Sequence, residues 1–106
     1  MPIDDFPVMH PGILLQEMFL KPLKISSYRL SISIGVPESR ISQILAGKRS
    51  ISPDTALRLA AYFENDPLFW METQARWDLF ISRKKIHNDL LEIKPFSPSD
   101  FDRKKR

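Results

Sequence analysis

The sequence has no cysteine and only two histidines, His10 and His87, among its 106 residues. Without cysteine there are no disulfide bonds and no thiol chemistry, which fits a reducing compartment. Neither histidine belongs to a group of His and acidic side chains at the spacing of metal ligands, or of a nucleophile and its base. We therefore expect no metal, no cofactor and no catalytic residue, which argues against an enzyme such as a ribonuclease.

The chain also lacks long apolar runs, and none approaches the ~20 residues that a membrane-spanning helix requires. Its first residues, Met-Pro-Ile-Asp-Asp-Phe-Pro, are acidic and interrupted by proline, unlike a signal peptide. We therefore expect a soluble, cytoplasmic protein without membrane association. A length of 106 residues favours one domain with a modest core.

Glycine is scarce as well, and two of the three glycines, Gly35 and Gly47, stand where predicted helices end. Ser26 is a suitable N-cap for a first helix that runs to Ile34, and Gly35 supplies the positive φ that a tight turn needs. Pro37 then fixes φ at the entry to a second helix, which Gly47 terminates. Two short helices joined in this way form a helix-turn-helix, a motif typical of DNA-binding proteins.

The two faces of this motif differ in chemistry. Apolar residues at helical spacing point into the angle between the helices and towards the rest of the domain: Leu30, Ile34, Val36, Ile41 and Ile44. The outer face of the second helix carries four polar residues, which are Glu38, Ser39, Arg40 and Gln43. These are candidates for contact with DNA bases.

Each of these side chains matches a known base contact. Arginine pairs with guanine, glutamine with adenine, serine with a base edge or a phosphate, and glutamate with the amino group of cytosine. Lys48 and Arg49 follow the second helix, where a DNA backbone would pass, and are predicted to contact phosphates. From the residues alone, the alternative is a helical hairpin with a polar outer face, because any surface helix carries such residues.

The distribution of charge favours the DNA-binding interpretation. The total is only +3, but residues 24–49 carry +4, between −2 over residues 1–23 and −3 over residues 50–81. A basic band confined to the motif is expected if a phosphate backbone meets only that band. Residues 82–106 carry another +4, and their terminal Arg-Lys-Lys-Arg run is typical of a solvated tail.

Three further helices are predicted around the motif. His10-Pro11-Gly12 opens a first helix that Pro22 stops, Ser52-Pro53-Asp54 opens the fourth, and Asp66-Pro67 opens the fifth. The apolar stripe of the fourth helix is Ala56, Leu57, Leu59, Ala60 and Phe63.

No alternating strand pattern and no repeat of useful length occurs in the sequence. The predicted fold is therefore all-α: a five-helix, helix-turn-helix domain over residues 11–85. A short N-terminal arm over residues 1–10 precedes it, and a basic C-terminal tail over residues 86–106 follows it.

The fifth helix carries both tryptophans, seven residues apart and hence on one face. Core packing is the simpler explanation for at least one of them. The helix nevertheless has more large apolar groups than one face can bury, and we expect the surplus to form a homodimer interface from Phe69, Trp70, Trp77, Phe80 and Ile81. A dimer would read two half-sites of a palindromic operator about one helical turn apart.

Several short stretches are shared with a known family: His10-Pro11-Gly12 with Leu14 and Phe19, Tyr28-Arg29-Leu30, Ile34-Gly35-Val36-Pro37, Ser39-Arg40-Ile41-Ser42, Gly47-Lys48-Arg49-Ser50-Ile51, Asp54-Thr55-Ala56-Leu57-Arg58-Leu59, Phe69-Trp70 and Gln74-Ala75-Arg76. On these stretches, from His10 to about Leu79, the sequence resembles the HigA (VapI-like) antitoxins. They are members of the lambda-repressor-like, or XRE, helix-turn-helix family. The tail from Ile86 onward matches little.

The resemblance implies a partner and a role. It implies a HigB-like toxin, usually a small RelE-like mRNA interferase encoded beside the antitoxin, and repression of the shared operon. It also implies base contacts from Glu38, Ser39 and Gln43 with Arg40 beside them, and phosphate contacts from Ser27 and Lys48. Two alternatives stay open, a solitary XRE-type transcriptional regulator without a toxin and a protein-interaction module that has lost DNA binding.

Overall fold

The computed structural model describes residues 8–99, so residues 1–7 of the predicted arm and residues 100–106, with the terminal basic run, lie outside the described part. Residues 8–99 contain helices and no strand, as the predicted all-α class requires. We number the helices α1 (residues 11–23), α2 (Ser27–Ile34), α3 (Glu38–Leu45), α4 (Pro53–Phe63), α5 (Pro67–Lys85) and α6 (His87–Leu91).

Helix α1 is not a regular α-helix throughout. It consists of an α-helical turn, Pro11–Leu15, a π-helical turn, Gln16–Leu20, and a final α-helical turn, Lys21–Leu23. The prediction that Pro22 stops this helix is wrong, because Pro22 lies inside the last turn and the helix ends at Lys24, which has a φ of 56°.

The helix-turn-helix forms as predicted. The side chain of Ser26 accepts a hydrogen bond from the backbone N–H of Arg29 at 3.0 Å and caps α2. Gly35 ends α2 with a φ of 74°, and its N–H and that of Val36 donate to the last turn of the helix. Pro37 is the N-cap of α3, one position before the helix begins, and Gly47 follows the end of α3 with a φ of 75°.

Helices α4 and α5 begin at the predicted residues. The side chain of Ser52 caps α4 through the N–H of Thr55, and the side chain of Asp66 caps α5 through the N–H of Leu68. Each helix has proline in its first turn, where the missing N–H costs no hydrogen bond. Leu57 was wrongly included in the apolar stripe of α4, because its side chain is 60% exposed.

The core lies where α1, α2, α3, α4 and the first half of α5 meet. The five apolar residues predicted to fill the angle of the motif are all buried, and Leu14, Leu15, Leu20, Leu59 and Trp70 complete the centre of this core. Phe19 and Phe63 pack against Trp70 with ring centroids 5.0 and 6.2 Å away. Trp70 is fully buried, so the core interpretation is right for this tryptophan.

The C-terminal part of the protein leaves the core. The described residues from Ser82 to Phe96 are all exposed, and they include the end of α5 and the short helix α6, which the sequence did not predict. The Cα radius of gyration is 18.9 Å, whereas a compact domain of this length has a radius of about 13 Å. Among the described helices, none is both long and apolar enough to cross a lipid bilayer.

Candidate nucleic-acid interface

The outer face of α3 is polar and accessible. Ile41 and Ile44 face inwards and are fully buried, while Glu38, Ser39 and Gln43 are exposed. Ser42 is exposed on the same helix, three residues after Ser39, so it shares a face with Ser39. Ser42 is not among the predicted base contacts, although its spacing from Ser39 indicates one.

Arg40 differs from the other polar residues of α3, because its side chain is only 27% exposed. Its Nη1 lies 3.3 Å from Oδ1 of Asp54 at the start of α4. The same carboxylate oxygen accepts a hydrogen bond from Nε of Arg58 at 2.8 Å. Arg58 in turn donates through Nη1 to the backbone carbonyl of Ile34 at 2.8 Å, at the end of α2. The guanidinium of Arg40 is therefore part of a network that joins α3 to α4 and to the turn of the motif.

Gln43 and Arg49, predicted to contact a base and a phosphate, are in contact with each other. Nη1 of Arg49 donates to Oε1 of Gln43 at 3.1 Å, and both side chains are exposed. With its carbonyl oxygen occupied by Arg49, the amide of Gln43 keeps its NH₂ group available as a donor. Lys48 is also exposed, and its backbone N–H donates to the carbonyl of Gln43 at 2.9 Å.

Ser27 and Glu38 link the starts of the two motif helices. The hydroxyl of Ser27 donates to a carboxylate oxygen of Glu38 at 3.4 Å, a long and exposed contact. This places the predicted phosphate contact of α2 beside the first predicted base contact of α3. The structure therefore brings the predicted site residues Ser27, Glu38, Ser39, Gln43, Lys48 and Arg49 to the surface around α3.

Close packing against α1 fixes the inner side of α3. A Cβ atom on Gly12 would overlap the backbone carbonyl of Ile44, so only glycine allows this approach. This role of Gly12 is not among the predicted ones, although a glycine inside a predicted helix rather than in a turn indicates close packing.

His10 connects this contact to α5. Its Nδ1 accepts a hydrogen bond from the N–H of Gly12 at 2.9 Å and caps α1, and its ring lies edge-on to Trp77 at 5.8 Å. Burial lowers the pKa of His10 below its ordinary value of 6.5, and the carboxylate of Asp78 opposes that shift. The neutral ring is therefore the form that caps α1.

The loop after α3 is held by a buried residue of α5. Oε1 of Gln74 accepts a hydrogen bond from the N–H of Ile51 at 2.8 Å. Nε2 of Gln74 donates to the hydroxyl of Ser50 at 3.3 Å and to Oδ1 of Asp78 at 3.0 Å. Gln74 appeared in the sequence analysis only as part of a shared stretch, since a pairing across 23 residues leaves no local signal.

The residues predicted for a dimer interface separate into two groups. Trp70 is fully buried in the core and has no surface to offer, which corrects its inclusion. Phe69 is half-buried with its ring 6.2 Å from that of Phe19, and Trp77 is half-buried between His10 and Phe80. Phe80 is exposed and Ile81 half-buried, at the point where α5 leaves the core.

The family of the protein follows from comparison with known proteins. The helix-turn-helix family pattern matches residues 17–70, which contain the whole motif described above. "Virulence-associated protein I" of Dichelobacter nodosus is 41% identical over 76 residues, which cover 72% of this chain and 70% of that protein. The chain belongs to the HigA (VapI-like) family of XRE-type helix-turn-helix proteins.

Other HigA relatives agree with this assignment. "Antitoxin HigA-1" of Vibrio cholerae is 32% identical, with 79% of each chain covered. The Pseudomonas aeruginosa antitoxin HigA, solved with the higBA promoter, superposes with a TM-score of 0.81 at 30% identity, covering 86% of this chain and 100% of that one. An addiction module antidote protein of the HigA family from Coxiella burnetii gives a TM-score of 0.80 at 36% identity, with the same coverage.

The HigA family is a family of DNA-binding regulators and antitoxins, not a family of enzymes. Within residues 8–99, no group of three or more His or acidic side chains could hold a metal ion.

Proposed function

We propose that this HigA-family protein is a sequence-specific DNA-binding antitoxin, which represses its own operon and neutralises a HigB-like (RelE-like) mRNA interferase. One observation carries the DNA-binding part: the exposed polar face of α3 is followed directly by the exposed cations Lys48 and Arg49. This combination provides base-reading groups and phosphate-binding groups side by side on one surface.

In this proposal Glu38, Ser39 and Gln43 contact bases, and Ser42 joins them because it shares their exposed face. The free NH₂ group of Gln43 is a donor for a base acceptor in the major groove. Arg40 was expected to contact a base, but its ion pair with Asp54 favours a different role. We assign it to the orientation of α3 on α4.

The phosphate contacts are assigned to Ser27, Lys48 and Arg49. Lys48 and Arg49 follow α3 on an exposed loop, and Ser27 lies at the start of α2 beside Glu38. These residues lie within the basic segment 24–49, whose five basic and one acidic side chains favour an anionic partner. Such contacts set the position of the protein on double-stranded DNA, while the bases set its sequence preference.

A homodimer is the second part of the proposal. The residues from Ser82 to Phe96 are all exposed and include the large apolar side chains Ile86, Leu90, Leu91, Ile93 and Phe96. Leu79 and Phe80 are exposed as well and Ile81 is half-buried, so the end of α5 and the residues after it carry large apolar side chains that the core of the same chain leaves uncovered. A second copy would cover these side chains and pair two α3 helices for a palindromic operator.

The toxin partner is supported by the names of the relatives alone. Proteins named antitoxin HigA occur among both the similar sequences and the similar structures. A protein with both tasks needs separate surfaces for them, so we place the toxin contact outside α3. The proposed site of action is the cytoplasm, where operator and transcript are found.

DNA binding is tested with the DNA upstream of the gene of this protein. Footprinting should reveal an inverted repeat whose half-site centres lie about 34 Å apart, one turn of the duplex. Anisotropy titrations should give tighter binding to this duplex than to a shuffled one of equal length. Equal affinity for both duplexes would contradict sequence-specific binding and favour a protein-interaction module.

The antitoxin role is tested by copurification with the product of the neighbouring gene. A stable complex that blocks RNA cleavage by that product would support the proposal. A neighbour that does not bind, together with a footprinted operator, would leave the solitary transcriptional regulator as the function.

A further inference from the structure

The loop between α3 and α4 carries both proposed phosphate-binding cations and is tied down at each end. At its first end, the N–H of Gly47 donates to the carbonyl of Ile44 at 3.0 Å, and the N–H of Lys48 donates to that of Gln43 at 2.9 Å. At its second end, Ser50 and Ile51 bind the side chain of Gln74. Lys48 and Arg49 lie between these two attachments.

The second attachment has a fixed orientation. The backbone N–H of Ile51 only donates, so the amide of Gln74 must turn its oxygen towards it. This directs the NH₂ group towards the hydroxyl of Ser50 and the carboxylate of Asp78, which accepts. Gln74 is 5% exposed, and no buried side-chain N or O atom in the described part of the chain lacks a hydrogen-bond partner. Rotation of the amide would break the contacts with Ile51 and Asp78, so the side chain of Gln74 has a single orientation.

The attachment comes from the helix that leads into the proposed dimer surface. Gln74 and Asp78 are one helical turn apart on α5, and Trp77 between them packs against His10. His10 in turn caps α1 through the N–H of Gly12, so this part of α5 also packs against the start of α1. Through Gln74, α5 is therefore hydrogen-bonded to the loop that carries Lys48 and Arg49.

We infer that Gln74 is a positioning residue for DNA binding: it holds the loop in the form that presents Lys48 and Arg49 to phosphates, and couples that loop to α5. This inference rests on the proposed DNA-binding function. It assigns no contact between Gln74 and DNA. Its consequence is that loss of Gln74 weakens binding to every sequence while the sequence preference set by α3 persists.

A double-mutant cycle tests the inference with the full-length protein. The variants are Gln74→Leu, Lys48→Ala and the combination, and each is titrated into operator and shuffled duplexes over a range of salt. Gln74→Leu should lower affinity for both duplexes roughly tenfold and reduce the slope of log affinity against log salt by about one to two, the share of the phosphate contacts of Lys48 and Arg49. Lys48→Ala should then cause little further loss in the Gln74→Leu background.

Two further variants control for a general loss of stability. Thr73→Val changes a buried neighbour on α5 whose hydroxyl donates to the carbonyl of Phe69, not to the loop, so it should leave the salt slope unchanged. Ser50→Ala removes only the exposed loop hydroxyl and should cause a smaller loss of the same kind as Gln74→Leu. Circular dichroism checks that each variant is helical. If Gln74→Leu does not fold, the salt slope of Ser50→Ala tests the inference in its place.

The outcomes separate this inference from the proposed function. A full Lys48→Ala penalty in the Gln74→Leu background would overturn the positioning role, as would an unchanged salt slope in Ser50→Ala. If Lys48→Ala has no effect in the parent protein, the assignment of phosphate contacts fails, and the inference fails with it.

Discussion

Nη1 of Arg40 lies 3.3 Å from Oδ1 of Asp54, so the one arginine of α3 is bound to α4 rather than presented on the outer face. Asp54 also binds Arg58, and this carboxylate therefore serves two guanidinium groups. Because the pairs are partly exposed, each contributes less than about 1 kcal/mol to stability. The pair of Arg40 and Asp54 joins α3 to α4, whereas the pair of Arg58 and Asp54 lies within α4.

Because of this contact, we predict different effects on DNA binding when Gln43 and Arg40 are replaced. Gln43→Ala should cost roughly 1–3 kcal/mol of binding free energy at the cognate operator and relax the preference at one base pair. Arg40→Ala should weaken binding less and keep the sequence preference. Affinities for a set of single-base operator variants measure both effects. If Arg40→Ala relaxes the preference and Gln43→Ala does not, the base-reading assignment is wrong.

A second prediction concerns the approach of α1 to α3. Gly12→Ala places a methyl group onto the backbone carbonyl of Ile44, which cannot move without shifting α3. We expect a loss of at least about 2 kcal/mol in the free energy of unfolding, measured by urea denaturation.

Gly35→Ala is the matched control for Gly12→Ala. Gly35 has a positive φ of 74°, and a Cβ atom at this position would meet only the guanidinium of Arg58, at 3.2 Å. Its cost should be about 1–2 kcal/mol, the strain of a left-handed residue with a side chain. A Gly12→Ala variant as stable as the parent protein would show that α1 does not constrain α3.

The motif could be predicted from the sequence because its signals are local. A serine cap at Ser26 and glycine turns at Gly35 and Gly47 act within a few residues of the helices they end. The alternation of buried and polar positions on α3 follows from the 3.6-residue period in the same way.

The remaining features depend on residues that are distant in the sequence. Arg40 meets Asp54 across 14 residues and Gln74 meets Ile51 across 23, so neither contact follows from helical periodicity. For the same reason the sequence did not distinguish buried Trp70 from half-buried Trp77, or show that Leu57 faces solvent. Burial is decided by which helix covers a side chain, and this is a property of the assembled domain.

A third prediction concerns pH. The neutral ring of His10 caps α1, and burial lowers its pKa below the ordinary value of 6.5 that applies in the unfolded chain. The contribution of His10 to stability is therefore complete above that ordinary value and is lost as the pH falls from 6.5 through the lowered pKa. Asp78 on α5 opposes the shift, so Asp78→Asn should enlarge the loss.

The measurement is the urea midpoint at about pH 7.5 and about pH 5.5, in the parent protein and in His10→Asn. Asparagine is a good N-cap that does not titrate, so the variant should lose less stability between the two pH values than the parent. The same loss in both proteins would assign the pH dependence to other groups.

The fourth prediction concerns the dimer and the apolar side chains at the end of α5. Phe80 is exposed, and its ring lies 5.9 Å from that of Trp77 and beneath Nζ of Lys84 at 4.3 Å. Phe80→Glu would remove the aromatic ring from the proposed interface and place a carboxylate there, which would have to lose its hydration even where it pairs with Lys84. The variant should sediment as a helical monomer and bind the palindromic operator little better than a shuffled duplex, because one copy reads only one half-site.

Leu57→Glu is the matched control, since it introduces the same charge at an exposed apolar residue of α4, a helix that carries no residue of the proposed interface. It should remain a dimer with unchanged operator affinity. Trp77 is a poorer choice for the test because it also packs against His10, so its replacement would disturb the domain itself. The dimer would be contradicted if the parent protein sediments as a monomer at about micromolar concentration and binds one isolated half-site as tightly as the full operator. Pairing of two copies would then not be what makes binding selective.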